Sequence, residues 1–283
     1  MVAKFEMVKK ILLFAVSLFF MQLTRAQDIL KGRVLDYSNN KGISFVSVGV
    51  LGKNAGAITD SNGVFKIGLG NNIGKNDYVV ITAIGYAEKR ISVKDALEMQ
   101  DFYLNPVSII LPGVLIKDFT KEELIGKLRK GGGYNSGWSG FGNGGEIGNV
   151  IAPSGVPFRI EKISFCILNG FDTAWFRIHV RKFKNGEPRE ELLNQNILLP
   201  TIVNRGIVKF DFAKDNIVIT EADSVYISLE LIRNSLVIKD TQIGRNVFIT
   251  GHKAGILYYK WYPQSNWLTN KEYELSLQVT VKY

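Results

Sequence analysis

One cysteine, Cys166, and two histidines, His179 and His252, are all that the 283-residue chain has of the softest nucleophiles and metal ligands. A single cysteine forms no internal disulfide, and no C-x-x-C pair exists. Cys166 sits in the apolar run Ile163-Ser164-Phe165-Cys166-Ile167-Leu168 and reads as a small buried hydrophobe. Neither histidine stands in an H-E-x-x-H motif, and a catalytic zinc takes two or three imidazoles with a carboxylate. The serine in Gly137-Trp138-Ser139-Gly140-Phe141 lacks the closing glycine of a nucleophile elbow. Asp60-Ser61-Asn62-Gly63 opens like a calcium loop, but Asn71 stands where the bidentate glutamate is needed. Gly140-Phe141-Gly142-Asn143-Gly144-Gly145 matches G-x-G-x-x-G, yet Pro153 and Pro157 follow where a phosphate-binding helix should begin. The sequence therefore predicts no catalytic motif, no cofactor, no metal and no nucleotide. The formal charge of +9 is scattered and forms no basic cluster, so no nucleic acid is expected.

What the chain does have is glycine, 28 residues, and β-favouring apolar patterning, with 46% hydrophobic residues. Lys9 and Lys10 precede an apolar run from Ile11 to Phe20, then a polar stretch through Ala26. A positive flank, a short apolar core and a small residue before a polar one make a signal peptide, residues 1–26. The run falls short of the ~20 residues of a membrane span. No cysteine follows for lipidation, so a lipobox lipoprotein is excluded. Export to the periplasm, outer membrane or cell surface is the expectation.

Strands are predicted at Ile29–Asp36, Phe45–Val50, Tyr78–Ala83 and Tyr86–Val93. Ala57–Ile67 reads as a hairpin about Asp60–Gly63. The motifs Gly32-Arg33-Val34-Leu35-Asp36, Gly56-Ala57-Ile58-Thr59-Asp60-Ser61-Asn62-Gly63-Val64-Phe65-Lys66-Ile67 and Ile84-Gly85-Tyr86 together resemble the carboxypeptidase-regulatory-like domain over about residues 28–105. Gly42-Ile43-Ser44-Phe45 departs from it, since the family more often has a proline-containing segment there. The resemblance implies a transthyretin-like sandwich without catalytic residues, of the kind found in Bacteroidetes-type envelope proteins, and possible association with outer-membrane complexes.

Leu111–Ile116 resembles a strand that often trails this domain. Thr120 and Glu123 at capping-box spacing, with Leu124, Ile125 and Leu128 on one face, predict a short helix ending at Gly131–Gly133. Beyond it Ala174–Arg181, Val225–Leu231 and Tyr273–Tyr283 alternate apolar and polar, the sign of strands with one buried face. The expected fold is all-β: a signal peptide (1–26), a carboxypeptidase-regulatory-like sandwich (27–110), a linker strand and short helix (111–133), and a C-terminal antiparallel sandwich, jelly roll included (134–283).

Tyr258-Tyr259-Lys260-Trp261-Tyr262-Pro263-Gln264-Ser265-Asn266-Trp267 packs five aromatics around a turn. Alternation places Tyr259 with Trp261 on one face and Tyr258 with Tyr262 on the other, so one set is core, and Trp261 is the stronger core candidate. Trp261, Tyr262 and Trp267 are the candidate contacts for a glycan or protein ligand. The acid pairs Glu122-Glu123 and Glu190-Glu191 read as solvated. The leading functional expectation is a non-catalytic envelope module binding a glycan, peptide or protein. Two alternatives stand beside it. One is a hydrolase with scattered residues, which a histidine beside a carboxylate in a pocket would favour. The other is a small outer-membrane barrel in the C-terminal half, which a lipid-facing outer band would favour.

Overall fold

The computed structural model describes residues 28–107, 118–130, 134–139, 144–168, 173–193, 195–201, 205–220, 222, 224–235, 246–253 and 255–283. The signal segment, the trailing strand at Leu111–Ile116 and the glycine loop at 140–143 lie outside them.

The N-terminal part holds β1 (Ile29–Asp36), β2 (Ser47–Val50), β3 (Gly56–Ile58), β4 (Val64–Gly68), β5 (Tyr78–Thr82), β6 (Lys89–Ser92), helix α1 (Val93–Glu98) and β7 (Asp101–Leu104). They form two sheets, ordered β4-β1-β7 and β3-β2-β5-β6. Val34, Phe65 and Phe102 face Val48, Val79 and Ile81 in one buried core. Alternation in β4, with Phe65 and Ile67 inward, places apolar groups on a single face.

The predicted hairpin is corrected. β3 pairs with β2 and β4 with β1, so the turn at Asp60–Gly63 carries the chain from one sheet to the other. The turn chemistry is as expected: the Asp60 carboxylate accepts from the backbone of Asn62 and Val64 at 2.8 and 2.9 Å, and Gly63 has φ +81°. The other motif residues also serve structure. The Thr59 hydroxyl donates to Ile43 O and accepts from Val46 N, both at 2.8 Å, and the Tyr86 hydroxyl donates to Asp36 at 2.9 Å.

The C-terminal part contains β8 (Glu122–Gly126), β9 (Tyr134–Ser139), β10 (Glu146–Ile151), β11 (Phe158–Ile167), β12 (Thr173–Lys184), β13 (Glu187–Glu191), β14 (Leu198–Thr201) and β15 (Gly206–Asp211). It continues with β16 (Ile217–Ile219), β17 (Val225–Ser235), β18 (Asn246–Lys253), β19 (Leu257–Lys260), β20 (Leu268–Asn270), β21 (Tyr273–Leu275) and β22 (Leu277–Lys282). One sheet runs β13-β12-β17-β10-β19-β20 with β14 beside β12; the other runs β21-β18-β11-β22-β8, with β15 and β16 beside β11 and β9 beside β18. Ile163 and Phe165 of β11 and Val279 of β22 pack on Phe176 and Ile178 of β12 and Ile227 of β17. The Phe165 and Phe176 rings meet edge to face at 5.3 Å across the sandwich.

The apolar residues thus point inward between two sheets, the reverse of a membrane barrel with its polar lumen, and the barrel alternative falls. The predicted helix after residue 120 is also corrected. Glu122–Gly126 is strand β8, paired with β22, with Ile125 against the core and Leu124 exposed. A segment this short has little helical stability of its own, whereas the edge of β22 offers a ladder of hydrogen bonds. Tyr273–Tyr283 is not one strand either. It breaks at buried Ser276, whose hydroxyl donates to Arg129 O at 3.1 Å, so β21 joins β18 while β22 joins β11.

The two sandwiches meet at the turn after β19. A Cβ on Gly49 would lie 2.1 Å from Pro263 O, and one on Gly144 would lie 2.5 Å from Pro263 Cγ, so only glycine admits this wedge. Gln264 O accepts from Gly52 N at 2.8 Å, and the Gln264 amide donates to the Thr82 hydroxyl at 3.2 Å. Gly49→Ala should therefore separate the sandwiches while sparing both cores. Calorimetry should show two unfolding transitions, and limited proteolysis should cut faster between the sandwiches than in the parent. A single unshifted transition would show that the wedge does not hold them.

Candidate functional site

Strand alternation puts Phe176, Ile178 and Val180 of β12 into the core and Arg177, His179 and Arg181 on the opposite face. That outer face would ordinarily be solvated, but Arg177 and His179 are buried and Arg181 is half-buried. Register brings two carboxylates side by side with a cation at each end. Arg177 of β12 lies opposite Glu230 of β17, Glu230 opposite Glu146 of β10, and Glu146 opposite Lys260 of β19. The N-terminal sandwich covers this row, and Arg177 donates to Phe45 O at 2.6 Å across the junction.

Glu146 is the hub. Arg181 grips it with Nε and Nη2 at 3.0 and 2.8 Å, Lys260 Nζ approaches at 2.6 Å, and the Ser228 hydroxyl donates at 3.1 Å. Burial alone would raise its pKa, but Arg181, His179 and Lys260 outweigh burial and hold the carboxyl well below the usual range. Glu230 lies 3.0 Å from Arg177 Nε in an ionic contact whose N–H is not aligned for a hydrogen bond, and 2.8 Å from His179 Nε2. Glu191 lies 2.6 Å from His179 Nδ1 and accepts from Val180 N and Leu193 N at 3.0 and 3.3 Å. Burial works against ionisation of both carboxyls, but Arg177 with His179, and Arg181 with His179, shift them down.

Both ring nitrogens of His179 thus face carboxylate oxygens. Ionised carboxylates only accept, so this setting favours hydrogen on both nitrogens, the imidazolium form. Burial opposes that charge, but Glu146 and Glu191 overcome burial and the repulsion of Arg181, and the pKa is raised.

A cavity of about 570 Å³ opens over this network. Its far wall is the turn Thr82–Tyr86 of the N-terminal sandwich, and Pro263 and Gln264 close one end. A second cavity of about 370 Å³ shares Arg181, Lys260 and Gln264 with it and adds Trp267, Asn266 and Arg189.

The aromatic candidates divide between these surroundings. Trp267 lines the second cavity, with Lys260 Nζ 4.8 Å from its ring centroid and the Tyr226 ring edge-on at 5.2 Å. Trp261, the expected core residue, is instead 40% exposed and leans on Tyr259 at 5.0 Å. Tyr262 is half-buried, and its backbone bonds Ser265 within the turn. Sequence reasoning missed the ion network. Glu191, read as solvated, belongs to it, while Glu190 remains exposed beside Lys182. The available signal was a polar face carrying both charge signs and a histidine. His252 is also buried, 2.8 Å from Glu274, but lies on β18 in the other sheet. Cys166 is buried in β11, as its apolar run implied. Among the described residues no group of three metal-binding side chains converges.

The network has a pH signature. A histidine with a raised pKa adds stability that is fully present below its ordinary value of 6.5 and is lost as pH rises through the higher folded value. The three carboxylates add stability that is lost as pH falls below their ordinary range. His179→Gln should flatten the alkaline side of a Tm–pH profile and make the acid side shallower without removing it, since Arg177, Arg181 and Lys260 still hold the carboxyls down; equal alkaline slopes would contradict the assignment. Arg181→Met leaves Glu146 short of its main partner and should cost about 3–5 kcal/mol in chemical denaturation, against less than 1 kcal/mol for an exposed pair such as Arg90 with Glu88.

Comparison with known proteins bears on the first sandwich. A search of curated proteins found no match. The structure of the cysteine protease and lectin-like domains of Cwp84, a surface layer associated protein of Clostridium difficile, aligns with 84% of this chain and 58% of that one, at 10% identity and a TM-score of 0.41. A clostridial Cwp84 structure after propeptide cleavage aligns with 84% of this chain and 65% of that one, at 12% identity and a TM-score of 0.34. This chain therefore spans less than two thirds of either. Residues 30–115 match the model of the CarboxypepD_reg-like domain, and Asp36, Thr59, Asp60, Gly63 and Tyr86 of that segment each serve a structural role in the first sandwich.

Proposed function

We propose that this chain is a non-catalytic, exported cell-envelope protein that binds its ligand in the cleft between the two β-sandwiches. The observation that carries the reading is the cavity itself. It is walled by both sandwiches, sized for a small ligand or the end of a larger one, and floored by convergent charged groups. Export rests on the N-terminal pattern of lysines, apolar run and small residue. Trp267 extends the same surface, whereas Trp261 and Tyr262 line neither of these two cavities.

The hydrolase reading keeps one observation in its favour, since His179 does lie beside carboxylates in a pocket. The chemistry argues the other way. A carboxyl serving as general acid needs a raised pKa, and all three here are lowered, while the ring nitrogens of His179 face Glu191 and Glu230. A general base needs a free nitrogen, and both nitrogens of His179 are committed to carboxylates.

Ile84 lines the cavity from the turn after β5, is half-buried and is absent from the apolar core. Ile84→Trp should fill the cleft with little effect on folding. Envelope polysaccharide and peptide fractions should raise the Tm of the parent and fail to raise that of the variant. Equal shifts in both would move binding elsewhere, and no shift in either would overturn the reading.

A further inference from the structure

We propose that the cleft takes an acidic saccharide, with a sugar carboxylate held by Arg181 and Lys260 where the two cavities join. This rests on the cleft being a ligand site and names what enters it.

The first ground is depth. The side chains of Glu146 and Glu230 are 3% and 2% exposed, while those of Arg181 and Lys260 above them are 17% and 11% exposed. A molecule in the cavity meets cationic groups over a floor of carboxylates. Glu191 is as open as Arg181, but its oxygens are already taken by two backbone N–H groups and by His179.

The second ground is donor supply. Glu146 accepts two bonds from Arg181 and one from Ser228, and the Lys260 ammonium lies in ionic contact with it at 2.6 Å, so little of its acceptor capacity is left for a ligand. A guanidinium has five N–H groups and an ammonium three, so Arg181 and Lys260 retain donors after satisfying Glu146. The floor offers hydrogen rather than lone pairs, and the group that fits is an acceptor.

The third ground is charge. Four cations, Arg177, His179, Arg181 and Lys260, meet three carboxylates, Glu146, Glu191 and Glu230. The rim acids Glu88 and Glu190 each stand beside their own cation, Arg90 and Lys182. With His179 protonated the covered cluster therefore carries one formal positive charge in excess, although each cation touches a carboxylate, and an anion would balance it.

The second cavity favours a sugar as the carrier of that carboxylate. It continues past Arg181 and Lys260 to Trp267, Gln264, Ser265 and Asn266. An indole beside amides and a hydroxyl suits a ring that is apolar on its face and polar at its edge.

The test is calorimetric titration of the full chain with tetramers of galacturonate and of mannuronate, their neutral methyl esters, and tetra-aspartate. An acidic tetramer should bind at least tenfold more tightly than its ester, more weakly as salt rises, and more tightly than the peptide. Lys260→Gln should lose at least tenfold of this affinity and Lys260→Arg should keep most of it. If Lys260→Gln fails to fold, exposed Arg189 of the second cavity replaces it, and Arg189→Ala should weaken binding several-fold at unchanged Tm. Equal affinity for ester and acid overturns the carboxylate assignment, and tighter binding of tetra-aspartate overturns the saccharide. If no probe binds although an envelope fraction still raises the Tm through the cleft, the ligand class alone fails. If neither binds, both readings fail together.

Discussion

The grip of Arg181 and Lys260 on Glu146 is the contact on which the cleft depends. A carboxylate buried on the outer face of a sheet carries a desolvation cost of several kcal/mol, and it is tolerable here because two cations and a hydroxyl meet it. Their positions are set by strand register. Arg177, Glu230, Glu146 and Lys260 occupy one row across β12, β17, β10 and β19, while Arg181 reaches in from four residues along β12. A one-residue slip in any of these strands would send its charge into the core, so the hydrophobic pattern of the sandwich also fixes the geometry of the site.

Buried ion networks are weak sources of net stability, because desolvation offsets most of the Coulombic gain. A better account of this one is orientation. The N-terminal sandwich must sit so that Phe45 O meets Arg177 and the glycine socket receives Pro263. The two residues that offer backbone carbonyls across the junction, Phe45 and Gln264, have φ of 59° and 63°. Non-glycine residues in this region cost of order 1–3 kcal/mol each and persist where surrounding contacts over-determine them. Strain and buried charge therefore coincide at the cleft, while both hydrophobic cores are regular.

Much of the architecture was legible in the sequence because period-two alternation and turn residues are local. The alternating runs at Ala174–Arg181 and Val225–Leu231 became β12 and β17, and Asp60 and Gly63 made their turn. What failed was long-range. Nothing near residue 120 announces that β22 will present an open edge to it, and nothing near Gly63 tells which sheet each flanking strand joins. The site failed for the same reason. His179, Glu146, Glu191, Glu230 and Lys260 lie on five strands, and the polar face they share looks solvated until a second domain is placed over it. The aromatic hairpin was partly legible: clustering beside a turn marked it as a contact surface, but it could not tell that Pro263 would dock within the chain while Trp267 faced a cavity.

The cleft is then a surface made by two domains together, and neither alone would keep its charges buried. Hydrogen exchange of the full chain, with and without a bound envelope fraction, tests this most directly. The account predicts that binding slows exchange at once in the turn Thr82–Tyr86, in β12 and β13, and in the segment from Lys260 to Gln264. Protection confined to one sandwich, or to surfaces remote from Arg181 and Lys260, would contradict it.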